Sequence, residues 1–418
     1  MVCCRFPIRL AAALALMCAG AGARAQDYGD PSGRDLIAIA DIRLSAVDGE
    51  RAWTDGGFGK GRYGGGADGF RVRPHAAEGA ITWSPHLSWS LEARIVAIAQ
   101  DRQDKPVDLS EATLSWRGGP GAVRLSGRAG LFWPPISHEH SGPEWRVTET
   151  ITPSAINSWV GEEVKVAGLE ASAALPLAGR KLSATVGLFG MNDTAGTLIA
   201  FRGWALHDQK ATLLSEQRLP TRDGFMQFAQ AANTRPMIEL DDRVGFYGKV
   251  ALAPIEGLRL DAFYYDNRGD PEAVNDDLQW GWRTRFGQLG AVLDAGRLRL
   301  TGQAMTGRTE MGFPMAGRIW VDTRFRSAFL LATRSFGATS LSARAEAFDT
   351  RGRGSVTASD DSEDGWAGTI AMRHVLSDHA TLLAEALHID SDRPARARDD
   401  LAAQQTQTLL QLALRLRL

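Results

Sequence analysis

Runs of about ten residues in which every second side chain is apolar recur along most of this chain, and a period of two is the period of a β-strand. Leu87, Trp89, Leu91, Ala93, Ile95, Ala97 and Ala99 alternate with Ser88, Ser90, Glu92, Arg94 and Gln100. Val123, Leu125, Gly127, Ala129 and Leu131 alternate with Arg124, Ser126 and Arg128. The C-terminus repeats the pattern most plainly, with Leu410, Leu412, Leu414, Leu416 and Leu418 set against Gln411, Arg415 and Arg417. Sandwich strands also alternate, but they usually run ~5–6 residues. The runs here come close to the ~9–11 residues that a tilted strand needs to cross a bilayer.

Sixteen runs can be marked, at 36–47, 70–84, 88–100, 109–117, 122–132, 163–175, 182–190, 243–253, 258–267, 279–293, 297–307, 318–336, 340–350, 366–376, 380–391 and 404–418. Their connections alternate strictly between short and long. Short ones carry turn residues, as at Pro85, Gly119, Pro254, Gly296 and Asp378. Long ones are polar, such as 48–69, 133–162, 191–242 and 351–365. Short turns at one rim and long loops at the other, with an even strand count, make a transmembrane barrel with both chain ends on the short-turn side. An open sheet edge has no water in lipid to satisfy its N–H and C=O groups, so the sheet must close. The expected fold is therefore all-β: a transmembrane antiparallel up-and-down β-barrel of 16 strands, with long extracellular loops. The alternative is 18, should Thr197 to Leu206 and Phe225 to Ala232 be strands as well. Apolar faces look out to lipid and polar faces into the lumen, so Leu412, Leu414 and Leu416 face lipid and Ala413 faces inward, where an arginine is tolerated. Trp83, Trp89, Trp116, Trp280, Trp282, Trp320 and Trp366 fall near strand ends, where interfacial girdles sit.

The first residues agree with export. Arg5 and Arg9 precede the apolar run Leu10 to Gly20, and Ala23-Arg24-Ala25 offers the small residues a signal peptidase reads. Residues 1–25 are thus expected to be a signal peptide, cleaved before Gln26, and 26–418 a single outer-membrane barrel domain. Cys3, Cys4 and Cys18 are all the cysteines, so the remainder has neither disulfides nor thiol chemistry. Removing Arg5, Arg9 and Arg24 from 47 basic residues leaves 44 against 49 acidic, a net of −5. That balance excludes a nucleic-acid binder with a basic footprint, and a mean hydropathy of −0.18 excludes a bundle of apolar helices.

The stretch from Trp133 to Glu162 is the most distinctive loop, Pro-interrupted and carrying Glu139, Glu144, Glu149 and Glu162. Predicted inward faces offer Arg94, Arg124, Arg128, Arg283, Arg285, Arg297, Arg299 and Arg344, with Arg373, Arg415 and Arg417. An acidic third loop folded inward against an arginine wall makes a constriction with a transverse field, which turns a wide barrel into a selective pore. Glu92, Asp261, Glu346 and Glu385 are the inward acids, fewer than the arginines, so the expected preference is weakly for anions. His138-Glu139-His140 presents two imidazoles on one side of an extended chain, short of the four ligands of a structural zinc site. Gly59 to Gly64 matches G-x-G-x-x-G without a following helix and reads as a flexible surface loop. No G-x-S-x-G elbow occurs. No catalytic residues, metal or cofactor are expected.

Gly130 to Ser137, a strand running into a Pro-rich loop, resembles the opening of the third loop in phosphate/polyphosphate-selective-type porins. Thr152 to Trp159 followed by Gly161-Glu162-Glu163 is similar to porin-like proteins of alphaproteobacteria. Length and strand number agree along 26–418, while the motif match covers about 122–175. The resemblance implies an outer-membrane porin of a Gram-negative bacterium: a passive channel for small hydrophilic solutes, embedded in outer-membrane lipid, with a homotrimer as its assembly. From the residues themselves, trimer and monomer both stay open. So do two other readings, a barrel with a loop-borne enzymatic or adhesive site and a soluble secreted β-protein.

Overall fold

In the computed structural model, which describes residues 36–418 apart from 66–68, 143, 178–179, 223 and 357–360, the alternation becomes the two faces of one continuous sheet. Along Gln404–Arg417, Gln405, Gln407, Leu409, Gln411 and Ala413 are buried inward, while Leu410 and Leu412 are exposed outward. That strand pairs with Leu36–Val47 from Ile39↔Arg417 to Val47↔Leu409, so the last strand closes on the first. The result is a closed barrel of sixteen antiparallel strands. They are β1 (Leu36–Val47), β2 (Arg71–Pro74 with Glu78–Trp83), β3 (Leu91–Ala99), β4 (Asp108–Gly118), β5 (Arg124–Phe132), β6 (Val166–Leu177), β7 (Arg180–Gly190) and β8 (Gly245–Ile255). The others are β9 (Leu258–Asp266), β10 (Arg283–Ala295), β11 (Leu298–Met315), β12 (Arg318–Phe336), β13 (Thr339–Gly352), β14 (Glu363–Ser377), β15 (Ala380–Asp392) and β16 (Gln404–Arg417). Among the described residues no helix is long and apolar enough to cross a membrane. The signal-peptide segment 1–25 lies outside the described residues.

Three departures from the expected strands have local causes. The second strand breaks at Pro74, which has no N–H for the ladder. His75 then turns inward to stack on Tyr63 (3.6 Å between rings) and meet Ser45 Oγ (2.6 Å). β11 does not stop at Gly307: Thr309 and Met311 continue the inward series, and the expected ten-residue loop is replaced by a two-residue hairpin. Ala316 (φ 50°) and Gly317 (φ 78°) supply the paired left-handed conformations such a hairpin requires. The strict short–long alternation therefore fails at this one connection. Finally, the candidate extra strands do not join the sheet. Thr197–Phe201 and Met226–Ala229 are short helices inside the long connection between β7 and β8, which settles sixteen strands over eighteen.

The tryptophans divide. Trp83, Trp89 and Trp116 are exposed at the short-turn rim and Trp366 on the outer face nearer the loops, whereas Trp280 and Trp282 are buried.

Candidate functional site

The third loop does fold into the barrel, around helix α1 (Ala155–Glu163), whose nine residues are all buried. Ser154 caps it, its hydroxyl accepting from Asn157 N–H (3.4 Å). Inward side chains of the wall take up the loop's backbone groups one by one. Ala155 N–H donates to Glu346 Oε2 (2.7 Å), and Ile151 and Thr152 N–H donate to Glu385 Oε2 (2.6 and 3.0 Å). Gln288 and Gln303 each donate to the Ile136 carbonyl at 3.0 Å. Arg344 donates to Glu139 Oε1 (3.0 Å), to Glu346 Oε1 (2.8 Å) and to the carbonyls of Thr152 and Pro153. Apart from Gln288 Oε1, which has no partner, these buried polar groups of the wall find their partners in the loop or in each other, which makes the loop's inward position a property of the fold.

The packing around α1 is apolar. Trp159 sits 5.4 Å from the Phe286 ring, 5.0 Å from Phe325 and 6.2 Å from Trp204. Phe263, Phe329 and Phe348, inward residues of β9, β12 and β13, belong to the same buried cluster. The expectation of a uniformly polar lumen is thus corrected: where wall meets loop, the inward face carries aromatic side chains.

Two further loops complete the filling. In the β7–β8 connection, Gly196 (φ 107°) lets the chain pass against Thr284 and Thr309 of the wall, where a Cβ would strike both hydroxyls. Helix α2 (Thr197–Phe201) follows, wholly buried. Glu162 of α1 pairs with Arg202 and lies 2.7 Å from His207 Nε2. Glu163 accepts from Trp159 Nε1 (2.6 Å) and Leu198 N–H (2.8 Å). The β1–β2 connection also enters, its Lys60 carbonyl accepting from Leu206 N–H (3.0 Å) and its Lys60 ammonium pairing with Glu363. Gly59 to Gly64 is therefore not a surface loop: Lys60, Arg62 and Tyr63 are among the most buried large side chains.

Against β1, β2 and β16 the filling changes character. Arg43 meets Asp208 at 2.7 Å and Arg62 meets it at 3.0 Å, while Arg146 and Arg415 meet Asp41 at 2.6 and 2.9 Å. A cavity of about 30 Å³ remains here, bounded among others by Asp41, Glu78, His140, Arg146, Asp208, Lys210 and Arg415. That is room for roughly a water or two. Burial alone would raise the Asp208 carboxyl, but the Arg43 and Arg62 guanidiniums hold it well below the usual carboxylate range. Burial, with Arg146 nearby, brings the Lys210 ammonium down to about 8. Burial raises Glu163 to about 7, opposed by the Leu198 N–H. Glu162 runs the other way: burial would raise it, yet Arg202 and His207 bring it to about 2.

The sequence candidates scatter over this framework. Glu139 and Arg344 meet in the loop anchor. Glu144 is buried, with its carbonyl accepting from Lys210, and Glu149 accepts from Ser340. Arg128 is inward but tied to Glu170 (2.8 Å), and Arg94 to Glu92 (2.7 Å). Arg124 is exposed on the inward side of β5, near the short-turn rim, Arg297 lies in the turn between β10 and β11, and Arg299 is at the start of β11. Arg283 and Arg285 are on the outer wall: Thr284 and Phe286 between and beside them are the inward residues, so this pair leaves the set of lumen candidates. His138 and His140 turn to different partners, Asp261 (2.5 Å) and Ser137 (2.8 Å), so they do not share one ligand site. Asp41 and Arg43 were legible as polar members of an alternating strand. Arg62, Arg202, Asp208 and Lys210 lie in loops, where no local pattern announces burial.

No protein-family model and no curated sequence matches the chain. Among solved structures it is similar to the outer membrane channel DcaP of Acinetobacter baumannii, with a TM-score of 0.54, 9% identity and 94% of this chain and 99% of that one covered. It is also similar to an anion-selective porin from Comamonas acidovorans (TM-score 0.52, 13% identity, 92% and 98% covered). A third is the loop-L8 deletion mutant of OmpT, an outer membrane protein of Vibrio cholerae (TM-score 0.50, 10% identity, 92% and 100% covered). The shared feature is the fold of outer-membrane porins and channels.

Proposed function

We propose that the protein is an outer-membrane channel of the porin type, passing small hydrophilic solutes passively along its charged side. The observation that carries this reading is the uneven filling of the lumen. Loops pack the β9–β13 side with aromatic side chains, and among the described residues a cavity lies between charged groups against β1, β2 and β16. A barrel of this width otherwise leaves an aqueous channel. Here passage follows when the loops beside the cavity shift. Five cations surround that region, Arg43, Arg62, Arg146, Lys210 and Arg415, against Asp41, Glu78 and Asp208. The proposed selectivity is accordingly a weak preference for anions. The phosphate selectivity that the sequence resemblance suggests gains less support: the chain has only six lysines, and Lys60, Lys165 and Lys210 are engaged in holding loops. A homotrimer remains part of the proposal, measured by mass in detergent.

Planar-bilayer recording tests it. The intact protein should give small stepwise openings, and replacing 192–212 by a short Gly-Ser linker should raise the step about tenfold or more, toward that of an unfilled barrel. Heat-modifiable migration of both proteins verifies closed barrels. Closed barrels that give no steps with either protein would overturn the channel reading.

A further inference from the structure

The outer wall carries a second charged feature that conduction does not use. In β-sheet register, Arg285 of β10 faces Arg308 of β11, Arg308 faces Arg324 of β12, and Arg324 faces Arg351 of β13. All four point outward, because Thr284, Thr309, Thr323 and Thr350 beside them are the buried, inward residues. At ~4.8 Å between strands the row spans about 14 Å. Arg283 and Arg326 extend it on the same face, one register step above and below. Beyond β10, the same register row continues through Asp266, Phe246, Leu188 and Leu169, so the arginines are confined to four adjacent strands.

Height places the row. On β12 the outward residues between Arg326 and Arg334 are Ala328, Leu330 and Ala332. The ten steps from Arg324 to Arg334, at ~3.3 Å each and a tilt of ~40°, give about 25 Å, the height of a barrel's apolar band. The layer Leu289, Ala304, Ala328, Ala347 lies immediately under the charged ones. An arginine facing lipid costs ~2–4 kcal/mol at mid-bilayer and ~0–1 near an interface, so the row belongs at the headgroup level on the long-loop side.

Charge pairing then selects a ligand. Arg308 is held by Asp322 (2.7 Å), Arg326 by Asp349 (3.0 Å) and Arg351 by Asp364 (2.5 Å), while Arg285 reaches Glu310 at 3.4 Å. Arg283 and Arg324 have no carboxylate within ion-pairing distance among the described residues. Paired arginines are thereby oriented and two guanidinium forks are left free, a geometry suited to bidentate binding of phosphate oxygens. The outer leaflet of a Gram-negative outer membrane is built of phosphorylated glycolipid. We infer that the outer face of β10–β13 is a docking surface for the phosphorylated headgroup of that lipid, with Arg283 and Arg324 supplying the free contacts.

The test reconstitutes the full barrel in phosphatidylcholine vesicles containing bisphosphorylated lipid A or its dephosphorylated form, re-extracts it in detergent and counts lipid A retained per barrel. The parent should retain the phosphorylated form, and the R283Q/R324Q double variant should retain about tenfold less. Neither substitution touches the lumen, and heat-modifiable migration verifies assembly. Arg324→Lys should restore part of the retention, as a point charge without the fork. Equal retention by parent and double variant, or no preference for the phosphorylated lipid, would overturn the assignment. So would loss of an oligomer in the double variant with lipid retention unchanged, which would make the row an interface between copies.

Discussion

The two sides of the lumen solve the same problem with different chemistry. On the β9–β13 side, Phe263, Phe286, Phe325, Phe329 and Phe348 join Trp159 in one buried aromatic cluster. On the β1–β2–β16 side, Asp41, Arg43, Glu78 and Arg415 meet Arg62, Arg146 and Asp208, and a cavity persists. Aromatic burial gains with every contact and tolerates no void. Buried ion pairs hold only in a fixed geometry, and here that geometry leaves a cavity. The apolar side therefore anchors the loops, and the charged side is where a path can form.

Removing the anchor should have the largest effect. Trp159 is fully buried at the centre of the apolar side, and truncating such a residue costs about 3–5 kcal/mol. Trp159→Ala should release α1 while the barrel, held by its own ladders, still closes. Bilayer recordings should show larger and noisier steps, and limited proteolysis should newly cut within 133–165. A variant as quiet and as resistant as the parent would mean that the polar anchors at Arg344 and Glu385 suffice alone.

The last strand separates wall from filling. Leu414 faces lipid, and an arginine there costs ~2–4 kcal/mol near the midplane, so Leu414→Arg should lower the amount of assembled barrel. Ala413 points inward, but into a buried contact with Ile151 and Leu383 instead of into water. The tolerance expected from the alternation therefore comes at the expense of the third loop's seat. Ala413→Arg should assemble and displace the third loop, raising conductance. Matching assembly defects in the two variants would show that the loop inserts before the barrel closes.

The faces of the last strand were readable because a period of two is local, and Leu410 and Leu412 take the outer side against inward Gln411 and Ala413. The sealing of the lumen was not. Phe263, Phe286 and Phe325 occupy inward positions where alternation implied polar residues; Phe286 and Phe325 meet Trp159, in a loop more than a hundred residues away, and Phe263 packs on Phe286 of the neighbouring strand. Glu139 and Arg344, each a constriction candidate from the sequence, meet in the structure. For Arg283 and Arg285 the alternation is one residue out of step: Thr284 and Phe286 form the inward series and the arginines face outward.

Acidity offers a gentler probe of the anchored side. Glu163 titrates near 7, above its usual 4.5, so its neutral form is the one favoured in the inserted loop. Its contribution to insertion is complete below about 4.5 and fades as pH rises through about 7. Glu162, held at about 2 by Arg202 and His207, changes only below that window. Conductance should rise between about pH 5 and pH 8, and Glu163→Gln should flatten the rise. An unchanged slope in that variant would move the pH response to other groups.

The smallest shift is expected on the charged side. Asp208 sits between Arg43 and Arg62 at the edge of the cavity, and its carboxylate offsets two guanidiniums that would otherwise face a passing ion. Asp208→Asn should move the reversal potential in a salt gradient toward stronger anion preference. Neutralising Arg124 and Arg128 together should move it the opposite way and by less, because Arg124 lies near the short-turn mouth and Arg128 is already paired with Glu170. Both shifts should shrink with added salt, since the screening length falls from ~10 Å at 0.1 M to ~3 Å at 1 M. Charges beside a narrow path act through low-dielectric walls and resist screening more than charges at an open mouth. The Asp208→Asn shift should consequently survive salt that abolishes the arginine effect. If the arginine double variant instead gives the larger and more salt-resistant shift, the conducting path runs along β5, and the assignment of the two sides is reversed.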